Sequence, residues 1–150
     1  MKRFLVAAAI TFTTVPALAS GDDIAKVKST SDVATTMDRL EAAVTGAGAT
    51  VFARVDHAAG AASVDLALDP SQVLIFGNPK MGTAAMQDDP VAGLFLPLKV
   101  LVYQDNTGQT WLAYQKPDDM FDDTKINNDA EYIKTMTGAL GKLTAKAAGE

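Results

Sequence analysis

His57 is the single histidine of the chain, and Asp56 stands immediately before it at the end of a predicted strand. An imidazole can act as a general base while a neighbouring carboxylate holds the ring in one orientation. Adjacent side chains on an extended strand point to opposite faces, so Asp56 can orient His57 only if the chain turns between them. The pair is therefore a candidate catalytic site, and a structural role for the histidine is the alternative.

The segment 77–83, with sequence Gly-Asn-Pro-Lys-Met-Gly-Thr, follows a predicted buried strand. Its glycine spacing is similar to that of a phosphate-binding loop, but Thr83 stands where that loop requires lysine. Pro79 also removes one of the backbone N–H groups that would face an anion. The pattern favours a tight strand-to-helix turn. Lys80 and Thr83 stay candidate ligand-binding residues, because a helix start can bind a small carboxylate or phosphate.

The sequence does not predict a metal site. Any site at His57 would need further ligands from Asp, Glu or Met elsewhere in the fold. The acidic segment 118–123 lacks the alternating ligands, central glycine and distant glutamate of a calcium loop, which indicates a solvated loop. Met81 and Met86 could offer thioether sulfur to copper, although methionine more often fills a core.

Composition limits the classes of function. The chain has 150 residues, 48% of them hydrophobic and 21% charged, which is typical of one soluble domain. It has no cysteine, which excludes disulfides, thiolate metal sites and a cysteine nucleophile. The 13 basic and 18 acidic side chains give a formal charge of −5, so nucleic acid and anionic membrane surfaces are poor partners.

Residues 1–19 have the pattern of a secretion signal. A cationic start precedes a short apolar run, and small residues follow at the expected cleavage site after Ala19. The apolar run is shorter than the roughly 20 residues that span a bilayer, and no later segment is long enough. The sequence therefore predicts a periplasmic or secreted protein that begins with a flexible segment or first strand at residues 20–30.

Periodicity predicts the elements that must position these residues. Apolar side chains recur at helical spacing in a segment capped by Ser31 or Asp32, and again at about 128–147. Gly108 lies in the turn of a predicted hairpin. Strands are predicted at 25–29, 50–55, 72–76, 99–103 and 110–114, and shorter helical segments at 58–64 and 80–87. This order predicts an α+β two-layer domain over 31–147: a mostly antiparallel sheet of four or five strands with two main helices on one face.

The order of motifs resembles the family called domain of unknown function 302, here an exported member. The motifs are Asp56-His57, the run Leu74 to Lys80, Gly82-Thr83, the run Leu96 to Val102 and the run Trp111 to Tyr114. The resemblance covers roughly residues 31–147. It implies a compact domain that self-associates as a homodimer, with the Asp-His and Gly-Asn-Pro segments close together. It also carries Asp56, His57, Asn78 and Lys80 over as candidate site residues.

Three functions stay open at this point. The first is an exported small-ligand-binding or accessory module, in which His57 and the 77–83 turn bind a small polar or anionic ligand. The second is a periplasmic enzyme that uses His57 as general base, with Asn78 or Lys80 stabilising negative charge on a small polar metabolite. The third is a structural protein-interaction module whose signature residues form turns and a dimer face. The sequence identifies no cofactor.

Overall fold

The computed structural model describes residues 23–150, which form five strands and five α-helices. The strands are β1 (Ile24–Lys28), β2 (Thr50–Asp56), β3 (Ser71–Gly77), β4 (Leu98–Gln104) and β5 (Thr110–Gln115). The helices are α1 (Val33–Gly46), α2 (His57–Ala62), α3 (Pro79–Asp88), α4 (Pro117–Met120) and α5 (Glu131–Ala148), with a 3₁₀ helix at Pro90–Leu94. The predicted signal segment 1–19 lies outside the described residues.

All strand pairs of the sheet are antiparallel, and the spatial order is β1-β5-β4-β3-β2. Strands β2 to β5 therefore form a meander in which each strand pairs with the next one in sequence. Strand β1 is the exception, because it pairs with β5 at the far edge, where Ile24 lies opposite Gln115. For residues 20–30, the structure thus shows a strand over Ile24–Lys28.

The core lies between one face of the sheet and the helices α1 and α5. Leu74, Val100 and Leu112 are fully buried on this face. The predicted helical stripes fill the opposite layer, with Val33, Met37, Leu40 and Val44 from α1 and Ile133, Met136, Leu140 and Leu143 from α5, all at most 8% exposed. Tyr132, which belongs to the predicted stripe of α5, is only partly buried. The predicted α+β architecture is confirmed.

The β4–β5 hairpin is confirmed, and its turn is organised by one carboxylate. Asp105 accepts hydrogen bonds from the backbone N–H groups of Thr107 and Gln109 and from the indole Nε1 of Trp111, at 2.9, 3.0 and 2.8 Å. Side-chain donation from Thr107 and Trp111 is the main reason why the pKa of Asp105 falls to about 2. Gly108 completes the turn at φ +84°, a conformation that favours glycine.

Several element boundaries differ from the sequence prediction. Asp32 is the N-cap of α1 and accepts from the Thr35 N–H at 2.7 Å. Helix α5 begins at Glu131 and not near residue 128, and α2 already begins at His57. The 3₁₀ helix and the short α4 were not predicted, because segments of four or five residues are too short to show helical periodicity. Within residues 23–150, no helix has the length and apolar character needed to cross a membrane.

Candidate functional site

The two candidate segments lie at opposite ends of the β2–β3 pair. Asp56 is opposite Gln72 at one end, and Thr50 is opposite Gly77 at the other. From Gln72 to Gly77 the strand covers roughly 17 Å at about 3.4 Å per residue. The expectation that the Asp-His and Gly-Asn-Pro segments lie close together is therefore wrong within one chain. Because β3 runs antiparallel to β2, it starts beside Asp56 and carries the chain away from it.

At the first end, Asp56 is the N-cap of α2. One of its oxygens accepts from the Ala59 N–H at 2.9 Å, and the other accepts from Nε2 of Gln72 at 3.0 Å. His57 is the first residue of the helix and is exposed. The chain does turn between the two residues, but the carboxylate is committed to the helix N-terminus and to Gln72. This geometry does not form the acid–base pair that the sequence suggested.

The same glutamine connects Asp56 to helix α1. Gln72 accepts from Nε of Arg54 at 2.9 Å. The Arg54 guanidinium also pairs with Asp38 at 2.7 Å and with Glu41 at 3.3 Å. The chain of contacts ties α1 to the edge strand β2, so the polar groups at this end have a structural role.

At the second end, Asn78 is the N-cap of α3 and accepts from the Lys80 N–H at 3.0 Å. Pro79 occupies the first helical turn, where its missing N–H is not needed. The predicted strand-to-helix turn is thus what the structure contains. The Lys80 side chain is exposed and does not line the cavity described next, whereas Asn78 and Thr83 do.

A cavity of about 260 Å³ opens to solvent beside this turn. Its walls come from the edge of β2, the end of β3, helix α3, the segment before β4 and helix α5. The lining residues are Phe52, Gly77, Asn78, Pro79, Met81, Gly82, Thr83, Met86, Leu96, Pro97, Leu98 and Met136. The wall is almost entirely apolar and contains no charged side chain.

The β2 edge and the end of β3 shape one wall of the cavity. An irregularity in pairing between Val51 and Ala53 leaves Phe52 56% exposed at the cavity. A Cβ on Gly77 would lie 3.3 Å from the Phe52 ring and 3.6 Å from Cβ of Pro97. Glycine at this position therefore allows the aromatic ring and the proline to approach the strand.

Two acidic residues hold the opposite wall. Tyr132 of α5 donates to the Asp88 carboxylate at 2.7 Å, and burial together with this contact raises the pKa of Tyr132 to about 12. Asp89 accepts from the N–H groups of Lys125 and Val91, which lowers its pKa. These contacts fix the end of α3 against α5 and position the 3₁₀ helix.

Most residues of this cavity carry no functional signal in the sequence. Phe52, Leu96, Pro97 and Met136 look like ordinary core residues in the sequence, and they come from distant segments. The block from Leu96 contributed to the family resemblance but suggested no chemistry. For metals, residues 23–150 contain no group of three or more His, Cys, Asp or Glu side chains that could hold an ion.

Comparison with known proteins gives a family and a fold. The sequence pattern of the family described as "Domain of unknown function DUF302" matches residues 25–143. A crystal structure of an uncharacterized conserved DUF302 protein from Bacillus stearothermophilus superposes with a TM-score of 0.77 at 21% identity, over 85% of this chain and 99% of that one. At this identity the likeness shows the fold alone.

Curated relatives come from Brucella. The protein named "Fluoride-specific ion channel FluC 1" from Brucella suis biovar 1 (strain 1330) is 38% identical over 125 residues, which are 83% of this chain and 49% of that protein. "Fluoride-specific ion channel FluC 2" from Brucella melitensis biotype 1 is also 38% identical over 125 residues, 46% of its length. The chain thus spans about half the length of the curated relatives it matches.

Proposed function

The chain belongs to the DUF302 family, a domain of unknown function, and from this premise we propose that it is a small-ligand-binding module whose site is the apolar cavity beside the 77–83 turn. The observation that carries the proposal is the cavity itself, a concave apolar pocket with Asn78 and Thr83 as its polar side chains. Pockets of this composition are typical of small-molecule sites.

The size and chemistry of the cavity define the ligand class. A volume of about 260 Å³ is slightly below the range of about 300–1,000 Å³ found for drug-sized ligands. It exceeds the cavity of about 150 Å³ that holds benzene in an engineered protein. Burying a charged organic group against an apolar wall is unfavourable without a counter-charge. We therefore propose a neutral ligand, the size of an aromatic ring or short aliphatic chain, with one polar group toward Asn78 or Thr83.

Indole and 1-hexanol test this assignment. In a chain labelled with [¹³C]methyl-methionine, either probe is expected to shift the methyl signals of Met81, Met86 and Met136, which line the cavity. The signals of Met37 and Met120, both buried in the core, serve as internal controls. Equal shifts at all five methyl groups, or none, would contradict the proposal.

A substitution that fills the cavity can be compared with the same substitution at a glycine outside it. A Cβ on Gly82 would lie 3.8 Å from Cδ1 of Leu96, so a larger side chain has room to enter the cavity. At Gly138 of α5, a Cβ meets nothing within 4 Å. Gly82→Phe is expected to abolish indole binding, and Gly138→Phe to retain it. Indole binding that survives in both variants would place the ligand elsewhere.

An accessory role to an ion channel is the second candidate function. The Brucella relatives are named fluoride-specific ion channels, and the matched segment accounts for about half of their length. We propose that this chain assists such a channel as a separate module. The apolar cavity is a poor site for the fluoride ion itself, since desolvating a small anion without charged partners is costly. The proposed assistance therefore does not require fluoride binding at the cavity.

Fluoride tolerance of the source organism tests the accessory role. Deleting the gene is expected to lower the fluoride concentration that arrests growth, without changing tolerance to chloride. Complementation with the wild-type chain restores the tolerance. Unchanged fluoride tolerance in the deletion strain would remove this candidate and leave the cavity proposal intact.

We also propose a homodimer formed through the sheet face opposite the helices. Cross-strand register places Val55, Val73, Leu101 and Ala113 in one row on this face. Val55 is 39% exposed, and neither α1 nor α5 packs on this side. Five strands spaced about 4.8 Å apart give a projected face of roughly 500 Å². That is of the same order as the roughly 800 Å² that each partner buries in a standard interface.

Charge complementarity favours a second copy as the occupant. Lys26 and Lys28 are exposed on the β1 edge of this face, and Asp65 and Asp69 lie in the exposed loop between α2 and β3, away from β1. A two-fold axis parallel to the strands places the basic edge of one copy over the acidic edge of its partner. An axis perpendicular to the strands would place lysines against lysines, which is unfavourable.

Light scattering coupled to size-exclusion chromatography tests the dimer. Leu101→Glu is expected to yield a monomer, while Lys134→Glu on the exposed surface of α5 is expected to remain dimeric. Lys28→Glu should weaken the dimer, and adding Asp65→Lys should restore it. A monomer in the wild type, or a dimer unaffected by Leu101→Glu, would contradict the proposed interface.

Export to the periplasm is the proposed location. It rests on the signal pattern of residues 1–19. N-terminal sequencing of the protein from the periplasmic fraction is expected to begin at Ser20. A mature protein that retains Met1 in the cytoplasmic fraction would contradict export.

A further inference from the structure

We propose that the cavity also binds a soft monovalent metal ion, Cu(I), through the thioether sulfurs of Met81, Met86 and Met136. This inference rests on the site of the proposed function and adds an inorganic ligand class to it. The chain has no cysteine, so thioethers are its soft ligands, and its single histidine lies at the opposite end of the β2–β3 pair.

Methionine is concentrated in this cavity. Three of the lining residues are methionines, whereas the whole chain has six. The other two in the described part of the chain, Met37 and Met120, fill the core and are at most 4% exposed. Three of the five methionines among residues 23–150 therefore line one cavity, and they come from two helices.

The fold brings the three side chains together from two helices. Met81 and Met86 belong to α3, and Met136 belongs to α5. Met136 lies four residues after Tyr132, hence on the same face of α5. The hydrogen bond of 2.7 Å from Tyr132 to Asp88 holds that face against α3. Methionine side chains of both helices therefore line the same cavity.

The 3₁₀ helix leaves room for one of these sulfurs. A Cβ on Gly93 would lie 3.3 Å from Sδ of Met86, so the glycine allows the thioether to rest against the helix. Met86 is 39% exposed, and it lies where an ion could enter from solvent. Met136 is 2% exposed and forms the inner part of the wall.

Thioether chemistry selects the class of ion. Neutral, soft sulfur ligands favour Cu(I) over hard or borderline divalent ions, which prefer carboxylate or imidazole. In a wall without charge, the lone pairs of the thioether sulfurs have to replace the water ligands of the ion, and a monovalent ion costs less to desolvate than a divalent one. Thioethers carry no proton near neutral pH, so binding at this site is expected to be independent of pH.

Ag(I) is the probe, because it has the same closed d-shell as Cu(I) and does not change oxidation state in air. Isothermal titration calorimetry, with Ag(I) added to the protein in a chloride-free nitrate buffer, is expected to show one bound Ag(I) per chain. The affinity is expected to be the same at pH 5.5 and pH 7.5. Each of Met81→Leu, Met86→Leu and Met136→Leu should weaken binding about tenfold or more, as loss of one ligand in three predicts. Met37→Leu and Met120→Leu should bind as the wild type does.

Leucine conserves volume and apolar character, so these variants are expected to keep the fold. If Met136→Leu does not fold, Met86→Leu at the exposed rim carries the test alone. Wild-type affinity in the cavity variants, equal loss in the core controls, or binding that disappears in His57→Ala would overturn the inference. Failure of Ag(I) binding while indole still shifts the cavity methyl signals overturns the metal site alone. Failure of both probes overturns the proposed function as well.

Discussion

The two ends of the β2–β3 pair differ in residue type and in the role that the structure gives those residues. One end carries Asp56 and His57, which are titratable and exposed, yet the carboxylate caps a helix and binds Gln72. The other end carries Gly77 and Asn78, beside which apolar side chains enclose a cavity. Residue types familiar from catalysis thus have a structural role at one end, while the concave site lies at the end built from unreactive residues.

The largest expected effect is at the cavity end. Met136→Ala removes a side chain that is 2% exposed and packs between α5 and α3. The loss of apolar burial and the enlarged cavity are expected to lower the free energy of unfolding by about 2–5 kcal/mol. Urea denaturation followed by circular dichroism measures this change. A loss below about 1 kcal/mol would mean that this wall is not packed as described.

The two helix caps compare the ends directly. Asn78→Ala is expected to lower the unfolding free energy by about 1 kcal/mol, since α3 buries Ala85 in the core and unfolds with it. Asp56→Ala should lower the free energy of global unfolding by less than Asn78→Ala does, because α2 has no buried residue and can unfold locally. Hydrogen exchange should then show faster exchange at Ala59 without a matching loss of global stability. If Asp56→Ala lowers the unfolding free energy more than Asn78→Ala does, the cap of α2 is more important for global stability than the cap of α3.

Stability at low pH is expected to depend on Asp105 in the β4–β5 turn, which lies at the same end of the sheet as Asp56. Its pKa of about 2 lies below the ordinary value of 3.8, so the ionised carboxylate stabilises the folded state. This contribution is fully present above about pH 4 and is lost as the pH falls toward 2. The stability difference between wild type and Asp105→Asn should shrink over this interval. If wild type and Asp105→Asn differ in unfolding free energy by the same amount at pH 2 and pH 6, the ionised carboxylate of Asp105 does not stabilise the turn.

The smallest expected effect is at the residue that looks most catalytic. His57→Ala should change the unfolding free energy by no more than about 0.5 kcal/mol, because the side chain is exposed and Asp56 makes the cap. Indole binding should be unchanged. A clear loss of indole binding in His57→Ala, measured by the methionine methyl signals, would show that His57 and the cavity act together.

The regular elements were predictable because their signals are local. The stripes from Val33 to Val44 and from Ile133 to Leu143 follow helical spacing, and the turn ending in Gly108 follows hairpin chemistry. The amide of Asn78 was a site candidate only through the family resemblance, and its observed cap explains why an amide stands before Pro79. These features depend on residues close in sequence.

The cavity was not predictable because it depends on residues far apart in sequence. Phe52 enters it through a local irregularity of β2 that alternation does not reveal. Met136 enters it through the packing of α5 on α3. The family resemblance implies that the Asp-His and Gly-Asn-Pro segments lie close together, and this expectation is wrong because the antiparallel return of β3 separates the two ends.

The sheet order also determines how the chain assembles. Strands β2 to β5 each pair with the next strand, so each of these pairings joins strands that are neighbours in sequence. Strand β1 is synthesised first, but its partner β5 ends at Gln115, so its pairing has to wait for most of the chain. Such distant pairing contributes to slower folding than local contacts do. The first strand made is therefore the last strand of the sheet to be placed.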